Sequence, residues 1–316
     1  KLLWNNLNMA KFLITGGMGA IGSNLTNYLC QNNHQVDVID NLSSPTVNIL
    51  NKNAIFYKKN IEDINFIRDL FRKNEYNYII HAAAFFANQR SVEFPEQDLI
   101  TNGLGLVNIL QNCNQTTIKK IIFLSSSCVY ENKFYEDSIF SNSLSTPYAI
   151  TKKLGEDYFK YFAKKFKKNY LILRLFNNYG PGELHGQYRN VIPNFFYQAI
   201  KNKNIKITGT GLETRDFNYI NDTINYIINL TFDKKLSNET FNIGSGKSYK
   251  IIDIANKIIN ICNSDSKIQY HKIRKWDTVT NRRASIRKLK KFNIYFKPTD
   301  INYGLSETYK WIKDKV

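Results

Sequence analysis

A glycine-rich turn between an apolar run and an amphipathic run constrains the fold of this chain most. The apolar run is Lys11–Thr15, and the turn after it places Gly16, Gly19 and Gly22 three residues apart. A helix that begins in such a turn offers free N–H groups and the positive end of its dipole to a pyrophosphate. Gly16 allows the tight turn, Gly19 allows the backbone to approach phosphate, and Gly22 allows the helix to pack closely on the strand. The turn therefore predicts a dinucleotide-binding βα unit.

Short β-rich runs alternate with amphipathic stretches from here to about residue 175, as in repeated βαβ units. We predict strands over Lys11–Thr15, Gln35–Asp40, Ala54–Tyr57, Tyr78–His81, Ile118–Leu124 and Tyr170–Leu173. Apolar residues three or four apart predict helices over Ala20–Asn33, Ile61–Lys73, Glu96–Gln115 and Pro147–Lys168. The expected fold is α/β, with a doubly wound, Rossmann-like parallel sheet.

The pattern loosens after residue 176 into loops with Gly and Pro at 180–182, 209–211 and 244–246. Two further helices are predicted near Asn190–Lys201 and Lys250–Cys262. We therefore predict a dinucleotide-binding domain over residues 9–176 and a smaller C-terminal substrate-binding region over residues 177–316. The chain is expected to return in part to the first domain.

Composition narrows the class of protein. Of 316 residues, 43% are hydrophobic and 22% are charged, which is typical of a globular chain. No apolar run reaches the roughly 18 residues of a membrane helix, so no membrane association is expected. The first ten residues lack a signal-peptide pattern, with Met9 as a possible start, and we expect a cytoplasmic protein.

Cysteine spacing and charge bear on metals and partners. Four cysteines lie far apart without a C-x-x-C pair, so we predict neither a metal site nor a disulfide framework. A net charge of +18 favours an anionic partner. Because the lysines are spread along the chain without an aromatic-interleaved basic stripe, we expect no nucleic acid partner.

Asp40 ends the second predicted strand and indicates which dinucleotide binds. A carboxylate at this offset from the glycine turn accepts the ribose hydroxyls of an adenosine and repels a 2′-phosphate. The sequence therefore predicts NAD rather than NADP. The alternative is a solvated aspartate at a strand end.

Tyr148 and Lys152 are candidate catalytic residues. Four residues apart on a helix, they share one face, but Tyr161 and Lys165 on the same predicted helix match that spacing too. Context favours the first pair, because it follows a strand whose carboxyl end carries Ser125–Ser127, where ligands of open α/β sheets bind. The Lys152 ammonium and an oxidised nicotinamide favour the phenolate form of Tyr148, which can act as the base when an alcohol is oxidised. Ser126 can orient the substrate oxygen.

These motifs together resemble the extended short-chain dehydrogenase/reductase family, specifically its NAD-dependent nucleotide-sugar epimerases and dehydratases. The resemblance rests on Thr15–Gly22, His81–Ala84, Asn102 with Gly105, Ser125–Tyr130, Tyr148–Lys152, Arg174–Asn177, Arg215–Phe217 and Arg274–Asp277. It implies a Rossmann-like domain, tightly held NAD recycled in each turnover, a nucleotide-sugar substrate and a homodimer built from two helices per subunit.

The resemblance also implies residue roles. Besides Gly16, Gly19, Gly22 and Asp40, the cofactor is expected to contact Ala20, Ile21, Asn41, Asn60, Ile61, Ala82, Ala83, Asn102, Tyr148 and Lys152. The nucleotide and its diphosphate are expected to contact Asn177, Asn190, Arg215 and Arg274. The ribose of the nucleotide is expected to contact Asp277.

Departures from the family pattern narrow the reaction. Dehydratases and UDP-glucuronate decarboxylases of this kind carry Thr-Asp-Glu or Thr-Ser-Glu where this chain has Ser126–Cys128. Without a carboxylate to move a proton at neighbouring carbons, simple oxidation and re-reduction at C4 is favoured, which predicts a UDP-hexose-type 4-epimerase. The 4,6-dehydratase and the decarboxylase remain alternatives, and a non-catalytic NAD-binding or nucleic-acid-binding protein is a remote one. Phe85 and Phe86 stand where a galactose-type epimerase has polar residues, so the hexose stays open.

Overall fold

Alternating strands and helices build the first half of the chain. The computed structural model describes residues 9–44, 50–130, 144–277 and 279–316. Its first elements are β1 (Lys11–Thr15), α1 (Ala20–Gln31), β2 (Gln35–Asp40), β3 (Ile55–Lys58), α2 (Ile64–Lys73), β4 (Tyr78–His81), α3 (Asn88–Glu93), α4 (Pro95–Asp98), α5 (Leu106–Leu110), β5 (Lys120–Ser126), α6 (Pro147–Phe166) and β6 (Asn169–Leu175). A π-helical segment, Leu99–Gly105, joins α4 to α5, and a 3-10 turn, Ser127–Tyr130, follows β5.

The second half contains shorter strands and four longer helices. These elements are β7 (Asn177–Tyr179), α7 (Val191–Ile200), β8 (Ile205–Thr208), β9 (Thr214–Arg215), β10 (Phe217–Tyr219), α8 (Ile220–Phe232), β11 (Glu239–Ile243), β12 (Tyr249–Lys250), α9 (Ile251–Cys262), β13 (Ile268–His271), β14 (Asn281–Arg282), α10 (Arg287–Lys291) and α11 (Ile301–Ile312).

Seven parallel strands form the central sheet, in the order β11-β6-β5-β4-β1-β2-β3. Ile14 of β1 pairs with Val38 of β2 on one side and with Ile80 of β4 on the other. The chain therefore winds outward in both directions from β1, and ligands of such sheets bind at the carboxyl ends where the winding reverses. This confirms the predicted doubly wound, Rossmann-like sheet.

Helices cover both faces of the sheet. Successive side chains of β1 point to opposite faces, so Phe12 and Ile14 belong to one core cluster and Leu13 to the other. The first cluster includes residues of α1 and α8, and the second includes residues of α2, α5 and α6. In the part of the chain that the structure describes, no helix has the length and apolar character needed to cross a membrane.

Several predicted elements need correction. The predicted helix Glu96–Gln115 begins one residue earlier, widens into the π segment and ends at Leu110. Strand β5 extends two residues beyond its predicted end and so includes Ser125 and Ser126. The prediction missed β11, which adds a seventh strand beside β6, and the helices α8 and α11. Helix α8 is largely buried, and only a narrow stripe of Asn221, Asn225 and Asn229 reaches its more exposed side.

Candidate active site

One cavity of about 1380 Å³ lies at the carboxyl ends of the central strands and extends to the segments after β7. It is lined by every predicted site residue except Asn102. These are Gly16, Gly19, Ala20, Ile21, Gly22, Asp40, Asn41, Asn60, Ile61, Ala82, Ala83, Ser126, Tyr148, Lys152, Asn177, Asn190, Arg215, Arg274 and Asp277. The fold thus joins the residues predicted for cofactor, catalysis and substrate in one continuous space.

At two positions of the glycine turn, neighbouring backbone leaves no room for a side chain. Gly16 has a φ of +71°, and a Cβ there would lie 2.6 Å from backbone atoms of Ala83, which follows β4. A Cβ on Gly22 would lie 2.1 Å from the carbonyl oxygen of Gly16. Glycine is therefore required both where the β1 and β4 loops meet and where α1 rests on the turn.

Asp40 holds the glycine turn from the end of β2. Its carboxylate accepts hydrogen bonds from the backbone N–H of Met18 at 2.9 Å and of Leu42 at 2.8 Å. The side chain is half-buried and lines the cavity beside the start of α1, which has no capping side chain. A glycine cradle, an uncapped helix N-terminus and a strand-end carboxylate are groups that fit NAD, of which α1 would hold the pyrophosphate and Asp40 the adenosine ribose.

Asn102 lies behind the cavity wall, which differs from its predicted place in the lining. It is buried in the π segment, where its Nδ2 donates to Asp98 at 2.8 Å and its Oδ1 accepts from the N–H of Phe85 at 2.8 Å. Asp98 also accepts from the hydroxyl of Thr151 on α6 at 2.6 Å. Asn102 therefore ties the loop after β4 to the helix that carries Tyr148.

Tyr148 and Lys152 face the cavity from the first turns of α6. The N–H of Tyr148 donates to the Ser91 hydroxyl at 3.1 Å, and Lys152 Nζ donates to the Leu124 carbonyl of β5 at 2.9 Å. The ammonium lies 5.7 Å from the centre of the Tyr148 ring. Helical spacing together with the preceding strand predicted this pairing, and the bond to Leu124 fixes the ammonium beside the strand end that carries Ser126.

Burial controls the charge of both groups. Burial raises the pKa of the Tyr148 phenol far above its ordinary value, and nearby Cys128 and Asp98 raise it further. A hydrogen bond with Ser126 lowers this pKa. Burial also lowers the pKa of Lys152 to about 8. Within this chain alone the phenol therefore keeps its proton at neutral pH, and an additional positive charge in the cavity favours releasing it.

A buried ion pair lies beneath this end of β5. Glu156 of α6 accepts two hydrogen bonds from Arg174 of β6, at 2.8 and 2.7 Å, and one from the Ser125 hydroxyl at 2.7 Å. Arg174 Nη1 also donates to the Tyr130 hydroxyl at 2.6 Å. The network fixes the backbone on both sides of Ser126 and neutralises the Glu156 charge.

The substrate side carries several cations. Arg215 forms an ion pair with Asp277, with 3.5 Å between Nη2 and Oδ1. The guanidinium of Arg274 lies 5.5 Å from the Trp276 ring. Asn190 Nδ2 donates a hydrogen bond to the carboxylate of Glu183 at 3.0 Å. Burial raises the pKa of Glu183.

Sequence reasoning missed Glu183 and the surroundings of Cys128. The Cys128 thiol accepts from Asn88 Nδ2 at 3.4 Å and from Arg282 Nη1 at 3.5 Å. These partners are 40 and 154 residues away along the chain. Only the Gly-Pro-Gly turn before Glu183 gave a local signal, and it indicated a loop rather than a buried acid.

Comparison with known proteins agrees with this site. Residues 12–244 match the NAD dependent epimerase/dehydratase family. The chain is 32% identical to a putative UDP-glucose 4-epimerase of Methanocaldococcus jannaschii, over 96% of this chain and 98% of that one. It is 31% identical to a UDP-N-acetyl-alpha-D-glucosaminuronate decarboxylase of Bacillus cytotoxicus, over 96% and 97%. An epimerase of Methanothermobacter thermautotrophicus has a similar structure, with a TM-score of 0.93, 36% identity and coverage of 97% and 93%. The chain therefore belongs to the NAD-dependent epimerase/dehydratase family, as its motifs predicted.

Proposed function

We propose that this protein is a nucleotide-sugar 4-epimerase of the UDP-hexose type, which inverts C4 by transient oxidation and re-reduction. The observation that carries the proposal is the grouping of Ser126, Tyr148 and Lys152 without an added carboxylate. Among the described residues, no carboxylate is hydrogen-bonded to Ser126, Ser127 or Cys128. The Ser126–Cys128 segment can therefore help to move a proton at one hydroxyl, and it supplies no carboxylate of its own to act as acid or base at a neighbouring carbon.

Each of the three residues has a distinct task in this proposal. Tyr148 takes the proton of the C4 hydroxyl and later returns it to the C4 oxygen. Ser126 donates a hydrogen bond to that oxygen, and the Lys152 ammonium stabilises the phenolate. Bound NAD supplies the hydride acceptor and donor for C4 and is unchanged over the full cycle.

Inversion further requires that the sugar turn while its nucleotide stays bound. We assign this anchoring to the region after residue 176, where Arg215 and Arg274 face the cavity and can clamp a diphosphate. Asn177, Asn190 and Asp277 line the same space and are the proposed nucleotide contacts. With the nucleotide held there, a 4-ketosugar can present either face to the returning hydride.

A decarboxylase or a 4,6-dehydratase of the same family is the second candidate. The similarity to the Bacillus cytotoxicus decarboxylase supports it, because that enzyme is nearly as similar in sequence as the Methanocaldococcus jannaschii relative. The lack of a carboxylate within Ser126–Cys128 favours the epimerase.

Product mass distinguishes these reactions. The purified protein would be incubated with UDP-, dTDP-, GDP- and CDP-hexoses and with UDP-glucuronate, without added NAD, and the products separated with mass detection. An isomer of unchanged mass is expected. A product lighter by water or carbon dioxide would instead establish the dehydratase or the decarboxylase, and stoichiometric formation of NADH a net oxidoreductase.

Tyr148→Phe tests the proposed base. We expect this variant to bind NAD and to lose nearly all turnover, because only the hydroxyl is removed. Tyr161→Phe is the matched control, since Tyr161 lies on the same helix with the same spacing to a lysine but is 57% exposed. Wild-type turnover by Tyr148→Phe would refute the assignment.

We also infer a homodimer formed through two neighbouring helical segments. The large apolar side chains of Leu99, Ile100 and Leu104 in the π segment and Ile150 in α6 are exposed in a single chain. Covering such a group against a second copy removes apolar surface from water. A cytoplasmic location remains our expectation, and the four free thiols are compatible with it.

A further inference from the structure

Arg90 is a half-buried cation in the cavity without an acidic partner in the described part of the chain. Its guanidinium carbon lies 4.0 Å from the centre of the Phe85 ring and 5.7 Å from that of Tyr188. No ion pair or side-chain hydrogen bond of Arg90 is found among residues 9–44, 50–130, 144–277 and 279–316. Contacts with rings leave its five N–H donors available.

The nearest acid in sequence is already engaged. Glu93 accepts a hydrogen bond from the Tyr188 hydroxyl at 2.6 Å and another from Gln89 Nε2 at 2.9 Å. Burial lowers the pKa of Arg90, and the neighbouring Arg189 charge acts in the same direction, while Tyr188 opposes it. A desolvated guanidinium of this kind is stabilised by an anion that enters the cavity.

Arg90 lies close to the reacting groups. The next residue, Ser91, accepts the hydrogen bond from the N–H of Tyr148 at 3.1 Å. The Phe86 ring meets the Tyr148 ring edge-on, with 5.9 Å between centres. Arg90 thus lines the same cavity as Tyr148, and its guanidinium lies against Phe85, whose neighbour Phe86 meets the Tyr148 ring.

We propose that Arg90 binds a carboxylate carried by the sugar, so that the preferred substrate is a carboxylated nucleotide-sugar such as a uronate. This inference rests on the proposed function, because it assumes that the sugar occupies the space beside Tyr148. The sugar is favoured over the diphosphate as the source of the anion because the proposed function assigns the diphosphate to Arg215 and Arg274. The Phe85 ring, against which the Arg90 guanidinium lies, and the Phe86 ring next to it also offer no hydrogen bonds to the hydroxyls of a neutral hexose.

Equilibrium binding tests the inference without turnover. In a Tyr148→Phe background with NAD bound, UDP-glucuronate, UDP-glucose and UDP would be titrated by calorimetry. We expect UDP-glucuronate to bind more tightly than UDP-glucose. Adding Arg90→Met should weaken UDP-glucuronate by about tenfold to a hundredfold, the effect of losing a charge-assisted hydrogen bond, and should change UDP-glucose and UDP by less than about twofold.

Controls separate charge from folding. Arg72→Met removes an exposed arginine of α2 outside the cavity and should change none of the three affinities. Arg90→Gln is a second variant that keeps a polar side chain and should show the same selective loss. Circular dichroism would verify that each variant is folded.

Two results would overturn the inference. An equal loss of affinity for all three ligands would assign Arg90 to the diphosphate, and equal binding of UDP-glucuronate and UDP-glucose by the Tyr148→Phe parent would remove the proposed preference. Failure of the proposed function is a separate result, since it is read as absence of turnover in the wild-type protein, whereas the Arg90 contact is read from binding.

Discussion

The buried Glu156–Arg174 pair allows a quantitative test of what holds the catalytic end of the sheet together. The two side chains are 0% and 1% exposed. Glu156→Gln nearly preserves volume but leaves the guanidinium without its counter-charge, which should lower the free energy of unfolding by about 3–5 kcal/mol. A chain of 316 residues has an unfolding entropy of roughly 0.7 kcal/mol/K, so Tm should fall by about 4–7 °C.

Denaturant titration followed by circular dichroism measures this difference, and a thermal melt gives Tm. The matched control is Asp157→Asn, one residue along the same helix. The Asp157 side chain, which pairs with Lys153, is 57% exposed, so this substitution should lower the free energy of unfolding by less than about 1 kcal/mol. The double variant Glu156→Gln/Arg174→Met should lose less free energy of unfolding than the sum of the two single-variant losses, because both substitutions remove the same interaction. Equal stability of Glu156→Gln and Asp157→Asn would refute the reasoning.

Four further predictions follow from the geometry. Gly22→Ala should greatly weaken NAD binding, because its Cβ would lie 2.1 Å from the Gly16 carbonyl oxygen; wild-type affinity in calorimetry would contradict this packing. Asp40→Ala should weaken NAD by about tenfold to a hundredfold with an unchanged far-ultraviolet spectrum, and an unchanged affinity would remove its proposed role. Burial lowers the pKa of Lys152 to about 8 from 10.5, so the folded state binds fewer protons between these values. The free energy of unfolding should therefore rise from pH 8 to pH 10.5, and rise less in Lys152→Met; equal slopes would argue against a buried ammonium. Leu104→Arg should yield monomers in light scattering, whereas a dimer of unchanged affinity would place the interface elsewhere.

Local patterns in the sequence predicted much of the active site. The glycine turn spans seven residues and the Tyr148–Lys152 pair five, so the strand, turn and helix that contain them fix their geometry. Parallel strands then bring their carboxyl ends to one edge of the sheet. For this reason residues as distant as Asp40, Ser126 and Tyr148 could be expected in one cavity.

Contacts between distant segments were decided only by the tertiary structure. Asn102 fits the family pattern, but its amide hydrogen-bonds to Asp98 and the Phe85 backbone behind the cavity wall. The position of Arg90 beside Tyr188, a residue almost a hundred positions later, has no local signature. The sequence by itself determined six of the seven strands of the sheet, the glycine turn and the Tyr148–Lys152 pairing, because local patterns and strand order specify them. Tertiary packing decided which side chains reach the cavity, because that depends on how loops from both halves of the chain meet.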